Sequence, residues 1–190
     1  SFENIDKNYA KKWQNLSSRK IYHAIVAGEN YGQGSSREHA AIAPQYLGLR
    51  LVIARSFARI HWQNLINSAI LPLQFQDASD LQLLNTGDQL KIENLLNGLR
   101  KGVRSFDVRV SNQKTTFKAD LTASKRQREI LLAGGLINWI RVKNLKKADF
   151  KNQNKKADRE TPLVTPVRGP RSMVISSGKV AGKVLIVDHM

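Results

Sequence analysis

Cysteine is absent from this chain. That excludes disulfides, thiol nucleophiles and any iron-sulfur cluster or zinc site whose thiolate ligands would come from here. If the chemistry needs a cluster, the cluster has to come from elsewhere. No apolar run approaches the roughly eighteen residues of a membrane span. The opening SFENIDKNYAKK also lacks the apolar centre of a secretory signal, so a soluble domain with no membrane partner is expected. Ser1 stands where an initiator Met would be, and the chain is therefore expected to be processed, a fragment of something longer, or incomplete in its sequence. Acidic residues are scarce as well: 15 Asp and Glu face 31 Lys and Arg, a net charge of +16. The excess is not confined to one end. Up to Val142 there are 20 basic residues against 11 acidic, and from Lys143 onward 11 against 4. Such a surplus serves solubility or a polyanionic partner such as RNA, and both parts of the chain carry it.

What is present is 41% apolar residue in 190, enough for one core of ordinary size. Lys20 to Ala27 (KIYHAIVA) mixes β-branched and aromatic residues in near alternation and stops at Gly28, which predicts a strand. The loop GENYGQGSS follows and hands over to REHAAIAPQYLG, where Ser35 or Ser36 can cap a helix. Pro44 kinks that helix or starts a second turn, and Gly48 stops it. LRLVIA (49–54) suits a buried strand, RIHWQNLINSA (59–69) has helical spacing, and ILPLQF returns to strand. Beyond Phe75 the alternation shortens. DQLKI (88–92), SFDVRV (105–110) and TTFKAD (115–120) predict antiparallel strands separated by Gly and Asn turns. TASKRQREILLAGGLINWIRVK then offers Thr122 or Ser124 as a cap and places Ile130, Leu131, Ile137 and Ile140 on one side of a helix that Gly134-Gly135 breaks or bends.

The organisation expected is a domain over 1–142, a lysine-rich linker over 143–160 and a Pro-rich segment over 161–190. In the last part, MVISSGKVAGKVLIVD alternates around Ser177-Gly178 like a hairpin or added strand pair. A lone hairpin is marginal in water, so this one should lean on a partner surface.

The loop before the first helix carries the chemistry. Glycines, two hydroxyls and an arginine at a helix start suit an anion, because backbone N–H groups and the helix dipole meet negative charge there. Arg37 adds a planar fork able to hold a carboxylate through two hydrogen bonds. Ser35 or Ser36, in that field, is a candidate proton acceptor. From the residues alone this supports an anion site and no specific reaction. A capped helix after a turn accounts for the same residues.

The longer pattern is more informative. YGQGSSREHAA, then YLGLRLVIARSFARIH, then NLINSAILPLQF and finally REILLAGGLINWI resemble, in that order from about Ser1 to Val142, the last, swivelling domain of the aconitase family. The same loop occurs in isopropylmalate isomerase small subunits, while SFARIH and LLAGG are more similar to the aconitase branch. The resemblance implies an α/β fold of the swivelling β/β/α type, mixed sheets covered by helices, followed here by a basic C-terminal extension. It implies hydro-lyase chemistry, citrate and isocitrate interconverting through cis-aconitate. Ser35 would take the carbon-bound proton while Ser36 and Arg37 hold a substrate carboxylate. It also implies a four-iron four-sulfur cluster on cluster-bearing aconitase domains or a large subunit as partner, no cofactor on this chain, and the cytoplasm or mitochondrial matrix as compartment.

The family's opening segment, with another substrate-binding arginine in an Arg-Ser-Asn setting, has no match from Ser1 on, so activity alone is not expected. Ala69 stands where the family usually has Gly, and the residues from Lys143 have no counterpart in the pattern. These departures and the charge motivate the alternative, a non-catalytic aconitase-derived protein that binds RNA in a large assembly such as a mitochondrial ribosome. His39 and His61 lack a third ligand at suitable spacing and are expected to pack or cap rather than bind metal. Trp13, Trp62 and Trp139 are expected in the core or an interface, and Glu38 as an ion-pair partner or first-turn charge.

Overall fold

The computed structural model describes residues 8–18, 22–34, 36–145 and 182–187. Three apolar runs, YHAIVA, LRLVIA and LPLQF, form strands β1 (Tyr22–Ala27), β2 (Leu49–Ala54) and β3 (Leu71–Phe75). They pair in parallel, and the crossovers between them are helices α2 (His39–Tyr46) and α3 (Arg59–Asn67). Parallel strands covered on both faces need apolar residues at nearly every position, and these have them. Ile25, Ala27, Leu49, Val52 and Ala54 meet Ala41 of α2 and Leu65 of α3; Ala24, Val26, Leu51 and Ile53 turn to the other side, toward the larger core.

That larger core is completed by three antiparallel strands, β4 (Leu90–Ile92), β5 (Ser105–Val110) and β6 (Thr115–Asp120), of which β6 joins β3. β5 alternates strictly: Phe106, Val108 and Val110 are buried, Asp107 and Arg109 exposed. The fold is thus α/β around a mixed six-stranded sheet. The backbone of β7 (Gly182–Val187) adds a seventh strand, parallel to β1 on its outer edge, for a strand order β4-β5-β6-β3-β2-β1-β7. β4 and β7, at opposite ends of that order, touch, so the sheet curls toward a barrel around the larger core. The Pro-rich residues and the first arm of the expected hairpin lie outside the described residues, as do residues 146–160 of the expected linker.

Several elements depart from sequence expectation. Helix α1 (Tyr9–Ser18) was not read from the sequence, but it buries Trp13 as expected, with its ring stacked on the His23 imidazole at 4.0 Å while the Tyr9 hydroxyl and His23 Nε2 are hydrogen-bonded at 2.6 Å. Helix α4 (Leu95–Lys101) and a 3-10 turn (Ala78–Leu83) stand where only turns were expected. α4 is short and holds Gly98, since a Cβ there would lie 2.6 Å from the Phe106 ring. α2 runs through Pro44 without a break. Helix α5 (Lys125–Leu132) has the Ser124 cap, with Gln127 answering it in a capping box. At Gly134 and Gly135 (φ +79° and +109°) the chain turns close under the Asn67 carbonyl and restarts as α6 (136–145). The restart rotates the apolar stripe. Leu136 and Trp139 pack on the core, whereas Ile137 and Ile140, expected on the buried side, are exposed.

Candidate functional site

The Gly-rich loop leaves the C-terminal end of β1, beside the loop that leaves β2, which is where parallel α/β sheets place ligands. Its first part is fastened to its neighbour. The Tyr31 N–H donates to the Ser56 carbonyl at 3.0 Å and the Ala58 N–H to the Tyr31 carbonyl at 2.9 Å, a short parallel bridge. The Asn30 N–H donates to Ser56 Oγ at 2.7 Å, and that hydroxyl donates to the Glu29 carboxylate. Tyr31 is buried edge-on against Phe57 and His61, and burial pushes its hydroxyl well above the ordinary tyrosine range.

Gly32 explains why glycine is needed here. It sits at φ +89°, and a Cβ would fall 2.2 Å from the His61 ring. His61, on α3, is buried beneath the loop, and burial lowers its pKa from 6.5, favouring neutral imidazole. It packs, as expected, and among the described residues no group of three or more His, Cys, Asp or Glu could hold a metal.

The second part of the loop is displayed rather than buried. Ser36, Arg37, Glu38 and His39 are all exposed, and α2 begins only at His39. The cap expectation is therefore corrected for Ser36: the N-cap is Glu38, in helical conformation and without a side-chain cap bond, which leaves the Ser36 hydroxyl outside the helix. Ser35 lies outside the described residues. Ser36 is nonetheless held, because the buried Asn64 of α3 donates its side-chain amide to the Ser36 carbonyl at 3.0 Å. Ser36 and Arg37 are thus exposed residues on a main chain secured from below. Such a pair can bind a carboxylate brought to it from outside the domain.

Asn64, Ser56 and Glu29 were not singled out from the sequence. The signal was available for Asn64 alone, a polar residue on the face of α3 that also carries Leu65. No helix among the described residues is long and apolar enough to cross a membrane.

Several known proteins are similar to this chain. The family model for the aconitase C-terminal domain matches residues 3–78. The methanogen homoaconitase small subunit of Methanocaldococcus jannaschii is 37% identical over 141 residues, 74% of this chain and 71% of that protein. A putative mitochondrial aconitate hydratase of Aspergillus fumigatus is 42% identical over 120 residues, which are 61% of this chain; the chain spans only 15% of that relative's length. Among solved structures, 3-isopropylmalate dehydratase of Methanocaldococcus jannaschii superposes with a TM-score of 0.55 at 35% identity, covering 71% of this chain and 74% of that one. The chain belongs to the aconitase C-terminal domain family.

Proposed function

We propose that this chain is the swivel component of an aconitase-type hydro-lyase, working on citrate and isocitrate through cis-aconitate and inactive without a cluster-bearing partner. The observation that carries the reading is the loop at the end of β1: its main chain is secured by Gly32 over His61 and by the Asn64 bond to Ser36, while Ser36 and Arg37 stay exposed. In this reading the Arg37 guanidinium holds a substrate carboxylate through two hydrogen bonds, and the Ser36 hydroxyl donates a third. Ser35, as alkoxide, accepts the proton from the substrate carbon. Exposure of the pair fits a site closed by a second protein surface rather than by this domain.

Residues here do not suit an iron-sulfur cluster, since the chain has no cysteine. When bound on a partner, a cluster would supply Lewis-acid activation of the substrate hydroxyl. The mitochondrial relative supports the matrix as compartment, and the small-subunit relative supports a large subunit as partner.

The test is reconstitution with a cluster-bearing large subunit and an assay of cis-aconitate formation. Ser35→Ala should lower kcat by roughly a hundredfold or more, and Arg37→Ala should raise KM as well as lower kcat. Activity indifferent to both substitutions sinks the proposal.

The second reading, a non-catalytic RNA-binding component of a large assembly, is favoured by the basic excess on both parts of the chain, which binding of a carboxylate substrate does not require. RNA affinity falling steeply with salt supports it. Affinity unchanged on deletion of residues 143–190 counts against a version driven by the tail.

A further inference from the structure

The antiparallel half carries a feature unrelated to the loop. On the outer face of β4 and β5, Lys91 and Arg109 stand directly opposite each other in the strand register. Like charges in that arrangement repel and weaken a sheet. Only one carboxylate intervenes: Glu93 bonds Lys91 at 2.8 Å, and its carboxyl is held below the usual range first by that bond and further by the charges of Lys91 and Arg109. The next outward pair is balanced, with Lys118 bonding Asp107 at 2.9 Å. One turn away, α4 raises a wall, and its Lys101 faces the same open cavity of about 610 Å³ together with Asn97 and Thr116. Three cations thus line the cavity with two carboxylates, Glu93 and Asp107, but each carboxylate is bonded to a lysine, which leaves Lys101 and Arg109 without a salt bridge among the described residues, on a sheet face that no helix of the described residues covers, flanked by amide and hydroxyl donors.

We propose that this groove binds phosphate groups of a single-stranded nucleic acid. Cations spaced along an open groove, with hydrogen-bond donors between them, suit a backbone of repeated charge better than one compact anion. No exposed aromatic lines the groove, so contact is with phosphates and not with base faces. The positive charge of the rest of the chain continues the attraction beyond the groove. The proposal deepens the RNA-binding reading by giving it a site in the folded domain. It is independent of Ser36 and Arg37.

The experiment uses the full chain and a fluorescently labelled oligouridine, with anisotropy followed from about 50 to about 200 mM salt. Lys101→Glu with Arg109→Glu should weaken binding at least tenfold. It should also flatten the log-log salt dependence by roughly 1.4, the share of two phosphate contacts on a single strand. Lys125→Glu with Arg141→Glu, an equal charge change on exposed residues of α5 and α6, should weaken binding by less than about threefold, as expected of long-range charge alone. The neutral pair Lys101→Gln with Arg109→Gln, on exposed side chains that do not threaten folding, should show an intermediate loss. Equal losses from the two reversal pairs overturn the proposal, as does the absence of binding at low salt. Binding that survives both groove variants but is lost with residues 143–190 overturns the groove while sparing the broader RNA reading. Pyrophosphate binding that depends on Lys101 and Arg109 without oligouridine binding assigns the groove to a small anion and likewise overturns the proposal.

Discussion

The two halves of the sheet are built to different rules. In β1 and β2 nearly every residue is buried because α2 and α3 cover one face and the larger core the other, whereas β5 and β6 bury only alternate residues and leave a face to solvent. The parallel half can therefore hold a loop rigidly at the ends of its strands, since the neighbouring strand's loop and the crossover helix are both in reach. The antiparallel half has no such loop to offer. Its bare face instead displays charge. On the two proposals above, functional chemistry of two kinds is separated by architecture, a secured carboxylate-binding loop on one side and a phosphate-binding groove on the other.

The sharpest way to break this comparison is at the fastening of the loop. Gly32→Ala should cost about 3 kcal/mol or more, because it combines a left-handed backbone with overlap onto a buried ring. Denaturant unfolding measures this, and combining it with His61→Gly, which removes the His61 Cβ at 2.4 Å as well as the ring, should be markedly less than additive. Next comes the burial pattern itself. Ile53→Ala should cost about 2–5 kcal/mol and its neighbour Val52→Ala about 2, since both faces of β2 are covered. In β5, Val108→Ala should cost about 2 but Asp107→Ala under about 1, because the Asp107–Lys118 pair is exposed. Equal costs at Asp107 and Val108 would remove the distinction between the halves.

Titration just below pH 6.5 probes the parallel half through His61. His61 has a folded pKa below its unfolded value of 6.5, so the unfolded chain gains a proton first as pH falls. Its contribution is complete above pH 6.5 and is lost below that value. His61→Phe should flatten the dependence of stability on pH in that window.

The smallest effect is at Ala69. This residue adopts φ +57° just before β3. Relief of that strain is worth about 1–2 kcal/mol, offset by about 0.5–1 for the greater entropy of glycine in the unfolded chain. Ala69→Gly should therefore stabilise by about 0.5 kcal/mol.

Periodicity alone was enough to locate β2, β5 and β6 to the residue, because burial on two faces or on one leaves a direct imprint on the alternation of apolar side chains. Turn and cap chemistry likewise placed the Gly48 stop and the interruption at Gly134-Gly135 and narrowed the cap to Thr122 or Ser124, of which the fold uses Ser124. The exposed Ser36 and Arg37 were legible as a motif. What holds them was not, for Asn64 reaches the Ser36 carbonyl across 28 residues, and Gly32 owes its necessity to a histidine that only folding brings beneath it. The same limit applies to α4 and to the direction of α6: a helix packed on Phe106 and a stripe rotated at two glycines depend on contacts between distant segments. The charge of the chain is a property of composition. Its convergence into one groove, with Lys91 opposite Arg109, follows from strand register, which pairing in three dimensions sets and no local pattern encodes.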